Sequence, residues 1–414
     1  MADTAKSPYT VYRARWTVLA VYSLITLVLQ LQWLTFAPIA REAQAVYGVG
    51  PFDIDLLSLI FMLVFVVVGL PASWLIDKRG IRVGVGLGAV LTGAFGLLKG
   101  VGAASYATVV VAQVGLAVAQ PLVINAVTKV AAQWFPIGER ATAVGIATLA
   151  QFLGIIVAMV VTPELVDRGG AVPDLGPMLV VYGAISAGAA VLVLLLLRER
   201  PPTAPGPEKE EEHLVTWRGM RRIFAQRDMR LIIALFFIGL GVFNAVSTCI
   251  DQLCGPKGLD ADETGLVGGV MLIAGVVGAA ILPALSDKRR KRRPFLVLAM
   301  ALATPAIAAL TLADAFLPLV VASAVLGVFL LGAGAPVGFQ YAAEVSYPVA
   351  ESLSQGVILL AGQVSGILFI VGVNVLGVTP MMWLFVGLMA VALAIAVALR
   401  ESPRILVAGR DDAG

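Results

Sequence analysis

Apolar residues run along this chain in long blocks, not in the short rhythm of an amphipathic helix or strand. A helix that is apolar all round has no face to give to water, so it belongs in a core or in lipid. Crossing a bilayer takes about 20 such residues. The blocks predict helices 1 to 6 at about 16–38, 54–76, 83–104, 106–131, 140–162 and 176–197. Helices 7 to 12 follow at about 230–253, 264–286, 295–315, 317–343, 352–376 and 380–400. The expected fold class is an all-α membrane protein, its twelve transmembrane helices set in two six-helix bundles. The bundles are residues 1–198 and 230–414, with a linker at 199–229.

The linker is the one sizeable polar stretch. It opens on Pro201, Pro202, Pro205 and Pro207, then turns acidic at Glu208, Glu210, Glu211 and Glu212. Leu214, Trp217, Met220 and Phe224 follow at helical spacing, with Arg218, Arg221 and Arg222 beside them. This pattern predicts an amphipathic helix, either lying at the membrane surface or solvated as a connector.

Composition agrees with the pattern. The chain is 59% hydrophobic and only 13% charged, whereas a soluble domain is about 25% charged. A folded surface in water needs more polar groups than this chain supplies. The net charge of +3 gives no reason to expect a nucleic-acid partner. Cys249 and Cys254 are the two cysteines, too few for a disulfide framework or a metal set. No metal and no cofactor is expected.

Basic residues set the expected topology, because Lys and Arg gather on the cytoplasmic side. With the first residues inside, only Arg41, Lys99, Arg168 and Lys257 of the 29 Lys and Arg fall outside. Both ends are therefore expected in the cytoplasm, in a multi-pass cell-membrane protein.

Asp77-Lys78-Arg79-Gly80 joins helices 2 and 3, and Asp287-Lys288-Arg289-Arg290 joins helices 8 and 9. A motif repeated at half the chain's length is the mark of a transporter built from two repeats. At these residues the chain resembles the major facilitator superfamily, with Ser73 standing where that pattern usually has glycine. It also resembles the branch of haem, choline and pyridoxine carriers related to the feline leukemia virus subgroup C receptor. Gln32-Trp33-Leu34, Asp55-Leu56-Leu57-Ser58, Ala119-Gln120-Pro121 and the run from Lys129 to Pro136 carry that likeness in the first half. Val246-Ser247-Thr248, Glu344-Val345-Ser346-Tyr347-Pro348 and Gln363 to Leu368 carry it in the second.

The amides point to a site without any family. Inside the spans they are Gln30, Gln32, Gln113, Gln120, Asn125, Gln151, Asn244, Gln340, Gln363 and Asn374. Amides are costly in hydrocarbon unless they meet a partner or a cavity. These sit on helices 1, 4, 5, 7, 10 and 11 alone. The resemblance implies that helices 1, 4, 7 and 10 line a central cavity and that 5 and 11 border it.

Ionisable groups are expected to be nearly absent from the middle of the spans. Asp251 falls near the outer end of helix 7, Glu344 near the inner end of helix 10, and Lys129 in the last turn of helix 4. With no central acid or base, a neutral or cationic solute fits better than an anion. Aromatic faces can hold a cation without an acid, and Trp33 lies one turn from both Gln30 and Phe36. It also has the depth of an interfacial tryptophan.

The resemblance places a cage tryptophan on Trp33 and a glutamine on Gln363. It puts a tyrosine where Asn244 stands, a glutamine where Phe152 stands beside Gln151, and an asparagine where Leu29 stands. It also implies that Asp77 and Arg82, with Asp287 in the second copy, belong to a cytoplasmic gate. His213, the one histidine, lies in the linker, so no span can ligate haem iron through histidine.

The expected substrate site is Trp33, Gln30, Gln120, Gln151, Phe152, Asn244 and Gln363. It serves a facilitative carrier of a choline-, ethanolamine- or pyridoxine-like solute, working as a monomer in the lipid bilayer. Enzyme chemistry is not expected, since no histidine pairs with a serine and no H-E-x-x-H occurs. Two other readings stay open. One is an ion-coupled exporter of amphipathic compounds or porphyrin, using Asp251 or Glu344. The other is a sensor or scaffold that does not transport.

Overall fold

The structure is a computed structural model that describes residues 10–136, 139–170, 172–203, 217–347, 349 and 351–401. The acidic run Glu208–Glu212, His213 and Leu214 lie outside the described residues. Twelve helices are long and apolar enough to cross a membrane. They are α1 Ala14–Tyr47, α2 Pro51–Arg79, α3 Ile81–Val101, α4 Tyr106–Trp134, α5 Thr142–Glu164 and α6 Gly176–Leu196. The second set is α7 Arg227–Thr248, α8 Ala261–Lys288, α9 Arg293–Leu312, α10 Phe316–Ser346, α11 Leu353–Leu376 and α12 Val378–Ala398. Each expected helix is present, with ends moved by a few residues and α1 extended furthest.

Because the spans alternate in direction, the bundle has two ends. The end that carries the α6–α7 linker is called the linker face, and the opposite end the far face. Helix starts at the far face are capped by their own sequence. The Gly50 N–H donates to the Asp53 carboxylate at 2.9 Å ahead of Pro51. Asp260 and Glu263 form a reciprocal capping box on α8. Such caps satisfy backbone groups that a helix start leaves bare.

Lipid gives no hydrophobic drive for helices to pair, so close approach through small residues does that work. A Cβ on Gly96 of α3 would stand 2.5 Å from the Ser186 Cβ of α6. A Cβ on Gly332 of α10 would stand 2.6 Å from the Gly278 Cα of α8.

Three spans are not continuous α-helices. The first helical segment of α1 ends at Trp33, and a 3-10 turn at Ala37–Ile39 leads into Ala40–Tyr47. In α4, helix Tyr106–Ile124 gives way to Val127–Trp134. In α10, Gly327–Gly334 is π-helical, a form concentrated at functional sites.

The linker helix is Trp217–Ala225. Gly219 and Ile223 are buried, while Arg221, Arg222 and Phe224 are exposed. It packs back onto α7 and α11. The face it turns inward thus centres on Ile223 and not on Phe224.

Candidate functional site

The two sets of six helices meet at the far face. Arg41, after the break in α1, pairs with Asp251, just past α7, at 2.8 Å, and its backbone N–H donates to the same carboxylate at 2.6 Å. Arg168 bridges Glu42 and Asp262 at 2.9 and 3.2 Å. Asp55 of α2 accepts from Gln252 at 2.6 Å, from Asn374 of α11 at 2.7 Å and from Cys249 at 3.2 Å. A Cβ on Gly265 of α8 would lie 2.2 Å from the Met159 carbonyl oxygen of α5.

Toward the linker face the relation reverses. Nothing lies within 4 Å of a Cβ built on Gly145 of α5 or Gly356 of α11. Among the described residues, the hydrogen bonds and ion pairs joining the first six spans to the last six all lie toward the far face. At the linker face, the ion pairs Lys129–Asp77 and Arg292–Glu344 each stay within one set.

Above the seam, three of the expected site residues converge. Gln120 Nε2 donates to Gln30 Oε1 at 3.3 Å, and Gln30 Nε2 donates to Gln151 Oε1 at 3.4 Å. One amide comes from each of α4, α1 and α5. These bonds are long, and Gln151 is half-buried beside half-buried Phe152. Long amide contacts are easily exchanged for a ligand.

In the second set, Asn244 Nδ2 donates to the Gly362 carbonyl at 3.3 Å. Half-buried Gln363, the next residue, has no hydrogen-bond partner among the described residues. Asn244 also lies against Gly366, where the Met62 sulfur of α2 arrives from the other set. An apolar crevice between α7, α9 and α10, lined by Leu235, Phe243 and Met300 among others, is separate from these amides.

Trp33 sits where α1 breaks. Its indole N–H donates to the Ser58 carbonyl at 3.1 Å, and the Ser58 hydroxyl donates back to the Trp33 carbonyl at 3.1 Å. Only 8% of the residue is exposed. The indole N–H is committed, so the ring is fixed in place and any ligand contact falls to its face. Phe36 does not join it: its ring lies under the Lys99 ammonium, 4.8 Å from the centroid.

The amide census splits. Gln32, Gln113, Asn125 and Asn374 serve as helix-to-helix ties, and Gln340 bonds within its own helix. Gln32 binds Ser186 and Lys99, Gln113 binds the Leu57 carbonyl, and Asn125 binds Ser73. Gln340 binds Glu344 and Asn374 binds Asp55. Ser73, in the place of the superfamily's glycine, thus has a partner of its own.

At the linker face, Asp77 and Arg82 do not pair with each other. Asp77 faces Lys129 at 3.8 Å, and the Lys129 ammonium also caps the Ile76 and Asp77 carbonyls. The Glu199 carboxylate accepts the N–H groups of Ile81 and Arg82 at 3.2 and 2.7 Å, an anion where a helix start favours one. The second copy is built differently. Asp287 pairs with Arg292, whose guanidinium also meets Glu344 at 3.0 Å. Glu344 and Asp251 are both in ion pairs.

The middle of the spans was expected to hold almost no ionisable residue; near the far-face ends of α2 and α3, two are buried. Asp55 is 2% exposed and Lys99 1%. The Lys99 ammonium donates to Gln32 Oε1 at 2.8 Å and reaches the Gln32 carbonyl and the Thr35 hydroxyl at 3.4 Å. It caps the broken end of α1, where carbonyls lack helical partners and the dipole favours a cation. A signal was present: Thr92, Gly96 and Lys99 share the small-residue face of α3, and Asp55 and Ser58 share one face of α2.

A sequence profile of the Major Facilitator Superfamily matches residues 20–370. The chain belongs to that superfamily. It is therefore a membrane transporter by descent, and its relatives are carriers, not enzymes. It is 31% identical over 384 residues to solute carrier family 49 member A3 of Danio rerio, covering 89% of this chain and 80% of that one. It is 28% identical over 376 residues to the choline/ethanolamine transporter FLVCR2 of Homo sapiens, covering 87% and 71%.

These relatives match the branch that the sequence motifs indicated. The superfamily fold is equally clear in solved structures. A bacterial homolog of the human lysosomal transporter Spinster superposes with a TM-score of 0.75 at 16% identity, covering 94% of this chain and 97% of that one.

Proposed function

We propose that this superfamily transporter is a facilitator for a small polar or cationic organic solute of the choline or ethanolamine kind. The observation that carries the reading is the convergence of Gln30, Gln120 and Gln151 from three helices, with the fixed ring of Trp33 one helical turn along α1 from Gln30. Asn244 and Gln363 are the corresponding groups of the second set. Amides offer both donors and acceptors to a hydroxyl or amine, and an aromatic face attracts an ammonium. The named substrates of FLVCR2 support the same solute class.

Residues 1–198 and 230–414 act as two rocking units joined by the linker. The linker face and both chain ends lie in the cytoplasm of a cell-membrane protein that works as a monomer. Contacts confined to the far face support a state open to the cytoplasm. Asp77, Arg82 and Asp287 lie at the ends that meet when the carrier turns outward. Asp251 and Glu344 are poor coupling acids, because Arg41 and Arg292 already hold them.

Ligand-dependent thermal stabilisation of the purified protein tests the site. Saturating choline or ethanolamine, at a hundredfold excess over Kd, stabilises the folded state by about 3 kcal/mol. The shift is lost in Trp33→Ala and reduced in Gln30→Ala. An undiminished shift in Trp33→Ala removes the aromatic part of the proposal.

A further inference from the structure

Asp55 is the one buried carboxylate in the described spans that no cation neutralises. It lies in the second turn of α2, on the seam between the two sets of six helices. Its three donors all belong to the other set: Asn374 on α11, and Gln252 and Cys249 just past α7. All three converge on Oδ2. Oδ1 is buried and has no hydrogen-bond partner among the described residues.

The charged and titratable groups around it are committed elsewhere. On the neighbouring segment, Asp251 is held by Arg41, whose Nη2 donates to the Leu259 carbonyl. Glu42, beside Arg41, is held by Arg168. On α2 itself, Asp53 caps Gly50 and its carbonyl accepts from the Tyr106 hydroxyl of α4. Tyr47 of α1 donates to the Ala103 carbonyl. Lys99 of α3 is turned to Gln32 and Thr35. The Cys249 thiol is itself one of the donors.

We propose that Asp55 is a proton-binding site, loaded from the far face, and that the proton favours closure of that face. The closed and open states treat the two forms of the carboxyl differently. With the far face closed, an ionised Asp55 is held away from water with one oxygen unmet, which is costly even beside good donors. Once the sets part, the donors leave with α7 and α11 and far-side water can solvate the charge. A neutral carboxyl loses much less by being enclosed. Protonation therefore stabilises the closed state, and by linkage acid shifts the population toward it.

The proposal rests on the rocking motion proposed above. Because the far-face seam is closed whenever Asp55 is covered, the proton returns to the side it came from. It acts as an effector, not as a transported ion, which is compatible with a facilitator.

The test needs no substrate, so its failure is separate from a failure of the solute assignment. The full chain is placed in lipid nanodiscs with spin labels on cysteines introduced at Val172 and Leu312, exposed far-face positions of the two sets. Cys249→Ser and Cys254→Ser remove the native thiols while keeping a hydroxyl donor to Asp55. Label-to-label distances are recorded from about pH 5 to about pH 9.

The expected result is a rise in the open-to-closed ratio of about tenfold or more with increasing pH. Asp55→Asn, a permanently neutral carboxyl analogue, gives a ratio that does not change with pH. Gln252→Arg is a second variant, less exposed to misfolding because it adds a partner to the acid. It lets the closed state hold the ionised form and flattens the pH response. A distribution independent of pH with Asp55 present overturns the proposal, as does an equal pH response in Asp55→Asn or in Gln252→Arg.

Discussion

At the residue scale, the end of α1 shows how one buried cation can hold a site in place. Lys99, Gln32, Thr35 and Phe36 form a closed set in which the ammonium has oxygen acceptors and an aromatic face, with no carboxylate. Removing the acceptor while leaving the charge is the damaging change. Gln32→Leu leaves the buried ammonium only the residue-32 carbonyl and the Thr35 hydroxyl, both at 3.4 Å, and destabilises by about 3 kcal/mol, the lower end for a broken buried pair. Lys99→Met removes the charge itself and leaves only an unmet amide oxygen, at about 1–3 kcal/mol. The double variant Gln32→Leu/Lys99→Met is more stable than Gln32→Leu alone. Thermal unfolding of the four proteins in one detergent checks this ordering, and strict additivity would contradict it.

At the element scale, the spans were legible in the sequence because lipid forces the issue. A bilayer accepts only long apolar segments whose backbone is satisfied internally, and such blocks can be read without knowing the packing. The breaks in α1 and α10 were not legible. Leu34–Phe36 and Gly327–Gly334 are as apolar as the helices around them. The α1 break is stabilised by Ser58, Lys99 and Gln113, which reach it from three other helices.

For the same reason, the site was legible only in part. Gln30, Gln120 and Gln151 could be expected to share a cavity, and they do touch. Gln32 and Asn374 have the same composition signal and serve as ties. Their partners, Ser186 and Asp55, lie far away in sequence.

Gly265 of α8 touches the Met159 carbonyl of α5, so Gly265→Val cannot close the far face without moving one helix. Since each helix of this pair comes from a different set, the variant favours the state open at the far face. The same distance measurement between Val172 and Leu312 reads it as a gain in the long-distance population. An unchanged distribution would mean that α5 and α8 yield locally, and that this contact does not control closure.

At the scale of the whole molecule, the polar contacts have a consistent geography. Ties between the two sets lie toward the far face, through Arg41–Asp251, Arg168–Asp262 and the donors on Asp55. Ties at the linker face, through Lys129–Asp77 and Arg292–Glu344, stay within one set. Opening one face and closing the other can therefore proceed with each set kept whole, as rocking requires. A shift of 1.4 kcal/mol in the far-face ties is about a tenfold change in the balance of states, so a few side chains can set that balance.

The most direct measurement is uptake of labelled choline and ethanolamine into liposomes containing only the purified protein, with no ion gradient imposed. The expected result is saturable uptake that runs down the solute's own gradient and is abolished by Trp33→Ala with the protein still folded. Uptake that appears only when a proton or sodium gradient is applied, or that is unchanged in Trp33→Ala, would contradict it.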